Sequence, residues 1–141
     1  MRYIGILLIF WWVGWGSVVG QDTLSWKELN KMGEEAYKRG KYKESLKIFE
    51  KARAQAKKEF GKISENYAKN CNALALIFER QRHYKKAELL YREVKDISYS
   101  LSGNDQVLFA TACCNLAGVL IKKRNYTEAE KLLIRAKGIY E

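Results

Sequence analysis

Shifted by 42 residues, the chain superposes on itself, and does so twice without drift, a period that restricts the fold to a stack of small self-similar units. Small residues coincide at Gly33, Ala75 and Ala117, at Ser45, Ala87 and Ala129, and at Ala52, Val94 and Ala136. Large ones coincide at Met32, Leu74 and Leu116, at Ile48, Leu90 and Leu132, and at Phe49, Tyr91 and Leu133. Ala36, Phe78 and Leu120 share a further column, the undersized Ala36 having Tyr37 beside it, and Tyr42, Tyr84 and Tyr126 are identical in all three copies.

Two antiparallel helices approach closely only where the crossing residues are small, with larger neighbours filling the flanks. The columns therefore predict a helical hairpin in each copy, over about 25–63, 64–104 and 105–141. Among 141 residues there is no proline, which fits long uninterrupted helices. Ser25 is placed to cap the first helix, with Glu28 three residues on completing a capping box. That helix should reach about Arg39, Gly40 and Lys41 should turn, and the second should run from Tyr42 to Phe60, stopped at Gly61. The later helices are expected at Ser64–Gln81, Tyr84–Leu101 with a stop at Gly103, Asp105–Lys123 and Tyr126–Tyr140.

The pattern of Gly33, Gly40, Tyr42, Ser45, Phe49 and Ala52 resembles the tetratricopeptide repeat, and the later copies keep most of it. The 42-residue spacing is similar to the kinesin-light-chain variant of that repeat. Asn72-Ala73-Leu74-Ala75 and Cys114-Asn115-Leu116-Ala117 resemble that variant's Asn-Asn-Leu-Ala segment, and Leu101–Asp105 resembles its inter-repeat loop. The proline that usually closes a repeat is missing here.

The resemblance implies an all-α solenoid whose first helices line a concave groove that receives a protein or peptide. It places Lys27, Asn30, Lys31, Glu34, Tyr37 and Lys38 in the groove from copy one, and Lys69, Asn72, Ala73, Leu76, Glu79 and Arg80 from copy two. Copy three contributes Thr111, Cys114, Asn115, Gly118, Ile121 and Lys122. Asn30, Asn72 and Asn115 carry both donor and acceptor and suit the amides of an extended peptide, while Lys69, Arg80 and Lys122 suit acidic side chains or a carboxylate. Glu34 stands where the chaperone-binding members carry Asn, so their carboxylate clamp is not implied.

Residues 1–20 have the form of an export signal: Arg2, an apolar run from Tyr3 to Val13 broken only by Gly5, and Val18 and Gly20 at the −3 and −1 positions before Gln21. The alternative is an uncleaved anchor facing outward, since Tyr3–Gly20 just reaches spanning length; clustered glycines favour cleavage. Either way the remainder is expected outside the cytoplasm, periplasmic or secreted. Removing that segment takes away Arg2 alone, so the rest keeps all but one of the +10 net charge. Such a balance favours acidic partners; export argues against nucleic acid. Lys43, Lys47 and Lys51 form one stripe, read first as a solvated face.

No metal or cofactor is expected. Cys113 and Cys114 are adjacent rather than spaced as ligands, Cys71 and Cys113 share an inward column, and no disulfide is predicted. His83 reads as an exposed turn residue. Asn125-Tyr126-Thr127 matches a glycosylation acceptor, but at a turn where Tyr126 is expected to be a repeat-core residue. With no phosphate loop and no nucleophile–base pair, the sequence reads as a non-catalytic scaffold. Two alternatives stand beside it: the leading portion of a larger exported protein, or a basic module for an anionic polymer or membrane surface. Leu132, Leu133 and Ile139 are expected to leave an apolar face uncovered on the last helix, open to another repeat, a downstream domain or a second copy.

Overall fold

A computed structural model describes residues 24–101 and 106–141. Among the described residues there are six α-helices and no strand: α1 (Trp26–Lys38), α2 (Tyr42–Phe60), α3 (Glu65–Arg80), α4 (Tyr84–Ser100), α5 (Gln106–Lys122) and α6 (Tyr126–Tyr140). The expected boundaries hold to within one or two residues. The expected signal at 1–20, the stop at Gly103 and a start at Asp105 lie outside the described residues.

Local chemistry sets the helix ends. Ser25 is extended at φ −62° and ψ 157°; its hydroxyl accepts from the Glu28 amide, and the Glu28 carboxylate accepts from the Ser25 amide at 2.9 Å. The hydrogen bond from the Ser25 hydroxyl holds the Glu28 carboxyl below its ordinary range. Ser64 caps α3 in the same way, through the Tyr67 amide. Each hairpin turns through a left-handed residue. Gly40 takes φ +73° without strain, but Arg82 and Arg124 take φ 61° and 65° at the same place, where a side chain costs about 1–2 kcal/mol.

Each helix packs against the one before and the one after it, which is the order of a solenoid. The small columns sit at the crossings: Ala75, Ala87 and Ala117 are fully buried, and a Cβ added to Gly33 would lie 2.8 Å from the Phe49 ring. Ser45 fills its crossing and donates to the Gly33 carbonyl at 2.8 Å. Phe49 and Tyr91, in one column, are buried in the first two hairpins, each contributing about 2–3 kcal/mol of apolar transfer.

Burial in a column depends on a neighbour to cover it. Leu133, third in the Phe49 column, is 41% exposed, and Tyr126, expected in the repeat core, is 61% exposed, because no described helix follows α6. Met32 is exposed for the mirror reason, since no described helix precedes α1. Leu132 and Ile139, expected on the uncovered face, instead pack inward against α5, and Ile134 is the exposed residue beside Leu133. Among the described residues no helix is long and apolar enough to cross a membrane.

Candidate functional site

The first helix of each hairpin, α1, α3 and α5, presents one face to a shared hollow. Its central part is a cavity of about 350 Å³, and nine of the positions assigned to the groove meet there: Asn30, Glu34, Tyr37, Lys38, Lys69, Asn72, Ala73, Leu76 and Thr111. Leu108, Ala68, Ala112, Phe49 and Val94 complete the lining. Leu108 was legible as the same-face position one turn before Thr111; the others are crossing residues glimpsed between helices. A second hollow at the turn end gathers Leu76, Glu79, Arg80 and Lys122 with Arg82 and Tyr84. Lys27, Lys31, Cys114, Asn115, Gly118 and Ile121 line neither hollow.

The polar groove residues are tied to one another. Asn115 Nδ2 donates to Asn72 Oδ1 at 2.9 Å, joining α5 to α3. Arg80 Nε donates to the Tyr37 hydroxyl at 2.7 Å with its guanidinium carbon 5.7 Å from the ring centre, and Lys122 pairs with Glu79 at 2.6 Å. All three links span 43 residues, one more than the period. Asn30 is used on both sides: its Nδ2 donates to Glu34, and its Oδ1 accepts from Asn70 Nδ2 at 2.9 Å. Lys69 pairs with Glu65 on its own helix at 2.8 Å, both half-exposed and therefore a weak tie.

Asn70 was missed in the sequence. It is fully buried, and its Oδ1 accepts from the Trp26 indole at 2.5 Å, so it fastens α1 to α3 beneath the groove. Its column holds Glu28 and Ala112, which share no chemistry with it, so the period carried no signal.

Away from the groove the titratable groups are structural. Burial, reinforced by Glu93, pushes the Cys71 thiol up to about 11, and burial likewise raises Tyr67, whose hydroxyl donates to Glu93 at 3.2 Å, to about 12. A thiol held neutral in that way is a poor nucleophile and ligand. Cys113 is raised by burial too, and all three cysteines are free. Among the described residues no cluster of His, Cys, Asp and Glu could hold a metal ion. His83 is exposed in its turn, against the edge of Phe78, and Asn125 is exposed in the equivalent turn, where it donates to Glu128.

A search of curated proteins finds no match. Among solved structures, that of BtubC (BKLC) from P. vanneervenii superposes with a TM-score of 0.77 at 18% identity, over 82% of this chain and 46% of that one. The chain thus spans less than half the length of that neighbour, and the likeness is one of fold. A profile described as tetratricopeptide repeat matches residues 26–100, and another of the same description matches 109–141. With more than half of its length matched by one such profile and the third hairpin by the other, the chain belongs to the tetratricopeptide repeat family, its repeats spaced by 42 residues.

Proposed function

We propose that this chain is an exported scaffold that binds an extended peptide or protein segment along α1, α3 and α5. Repeats of this family generally serve protein–protein interaction, and the observation that carries the reading here is the shape and chemistry of the central cavity. Ala73, Leu76 and Leu108 give it an apolar floor, while Asn30, Asn72, Thr111, Lys38 and Lys69 give it a polar rim. An apolar side chain of a bound segment rests on that floor, and its backbone meets the rim. Because Asn72 Oδ1 accepts from Asn115 Nδ2, the group that Asn72 offers to a peptide in the cavity is its own Nδ2, a donor. Lys38 and Lys69 at the rim favour acidic residues flanking the apolar anchor. Export rests on the first twenty residues, and mass spectrometry of the amino terminus of cell-produced protein tests it: a chain beginning near Gln21 supports release, and one retaining Met1 supports the anchor.

Selection from a random peptide library against the purified chain, followed by titration calorimetry, tests the groove. The expected result is a peptide whose affinity falls about tenfold or more with Leu76→Glu, a half-exposed position where folding is preserved, and falls in the same direction with Lys69→Glu. Affinity should change only modestly with salt. Binding that ignores Leu76→Glu and collapses by about 10³ between 50 and 200 mM salt would point instead to a polyanion on the basic surface.

A further inference from the structure

The two ends of the array are built differently, and the difference identifies a second interaction surface, independent of the groove reading. In α3 and α5 the columns that pack onto the preceding hairpin are Leu74 with Leu116 and Ile77 with Val119, all at most 2% exposed. In α1 the same columns hold Met32 and Glu35, both exposed, so this face carries a charge where α3 and α5 carry Ile77 and Val119. On α6 the position that follows Phe49 and Tyr91 in its column is instead the apolar Leu133. The α6 positions whose counterparts in α2 and α4 are covered by the next hairpin are Tyr126, Glu130, Leu133, Lys137 and Tyr140, and all five are exposed, with Ile134 beside them. Their spacing of four, three, four and three residues makes one straight seam, the spacing by which helices pair in coiled coils.

This seam is complementary to itself when reversed. Laid antiparallel on a second copy and centred on Leu133, it sets Tyr126 against Tyr140, Leu133 against Leu133, and Glu130 against Lys137, in both directions at once. A head-to-tail stack would place the Glu35 carboxylate against Leu133 without a partner, a burial that carries a large desolvation penalty. Among the described residues Lys137 has only a solvent-exposed pairing with Glu141 at 3.4 Å and Glu130 has no ion pair, so both charges are available to a partner. We infer that α6 docks antiparallel onto α6 of a second copy, forming a two-fold dimer closed by paired Glu130–Lys137 bridges around Leu133.

The seam is narrower than a standard interface, so the dimer should be weak, with a dissociation constant on the order of 10 µM. Sedimentation velocity of the purified chain from about 1 to 200 µM brackets that value. The expected result is a monomer–dimer equilibrium that Glu130→Lys and Lys137→Glu each weaken several-fold and that the double reversal restores. These sites are exposed, so folding is not at stake, and Leu133→Lys should abolish the dimer. A chain that stays monomeric up to the highest concentration overturns the inference and leaves the face to a further hairpin or a foreign helix. A dimer indifferent to both reversals, or not rescued by the double, overturns it as well.

Discussion

Between α1 and α3 the array is joined by neutral and cation–π contacts, the buried Asn70 holding Trp26 and Asn30 while Arg80 lies over Tyr37. Between α3 and α5 the corresponding links are the Asn115–Asn72 amide pair and the ion pair of Lys122 with Glu79. The third hairpin is further bound to α4 by Arg92 with Glu128 at 2.6 Å and by Lys123 with Glu88. One backbone geometry is thus closed by two chemistries. The named links of the first seam contain no ion pair, whereas those of the second depend on carboxylates. Position in the repeat decides where a seam falls, and the side chains decide what weakens it.

The sharpest way to break this contrast is Asn70→Ala. The Trp26 indole N–H loses its acceptor inside the first seam, and an unmet buried donor costs about 2–3 kcal/mol, or a drop of roughly 10 °C in Tm. Alanine as such is not foreign to the site, since Ala112 occupies the same column in α5 and is 1% exposed. Removing the half-buried amide of the second seam, Asn115→Ala, should cost about 1 kcal/mol, because water can replace it. Equal costs in urea melts would mean that the two seams do not differ as described.

Acid should separate the seams next. For Glu88, burial works to raise the carboxyl, but hydrogen bonds from Lys123 and Arg92 outweigh it and hold the group below its ordinary value. The Arg92 hydrogen bond is the main cause of the same lowering at Glu128, against a smaller opposing contribution from burial. A carboxyl lowered on folding stabilises fully above its unfolded value of about 4.5 and loses that contribution as pH falls through the depressed folded value. Below that range α5 and α6 should exchange their amides before α1 and α3 do, by an amount on the order of 1 kcal/mol in local opening. In the first hairpin the carboxylate contacts are exposed ones, among them the Ser25–Glu28 cap, Glu59 with the Trp26 amide at 3.1 Å and Glu44 with Lys41 at 3.3 Å, so acid should cost it less. Hydrogen exchange at neutral pH and near pH 3 reads this directly; uniform loss across all six helices would refute it. Glu88→Gln at neutral pH should reproduce part of the acid effect, confined to the third hairpin.

The helices were legible because each of their determinants is local. Ser25 with Glu28, Gly61 and the recurrent Tyr at 42, 84 and 126 mark ends within a few residues of themselves, and α2 and α6 begin and end where the sequence places them. The groove was half legible. Which face of α1, α3 and α5 turns inward is what the resemblance implies, and nine of the positions it assigns line the central cavity. What those residues bond to does not follow, because the links fall off the 42-residue register, at 43 for three of them and at 40 for Asn30 with Asn70. Tyr126 was misjudged for a related reason: a repeated column encodes the capacity for burial, and the covering hairpin supplies the burial itself.

The hairpin turns provide the smallest test and act on the weaker seam from outside. Gly40, Arg82 and Arg124 occupy one left-handed position, and only the first is suited to it. Arg124→Gly removes a strain of about 1–2 kcal/mol and adds back roughly 0.5–1 kcal/mol of chain entropy in the unfolded state, for a net gain of a few tenths to about 1 kcal/mol. Arg124 is exposed and, among the described residues, makes no ion pair, so no side-chain ion pair is lost there. The gain should appear as slower exchange in α5 and α6 with α1 and α3 unchanged, narrowing the gap between the seams. Gly40→Arg should do the reverse in the first hairpin, costing about as much as Arg124→Gly yields. If both substitutions prove neutral by thermal melts, the turn strain is relaxed by small backbone shifts, and the difference between the hairpins rests on the seam contacts alone.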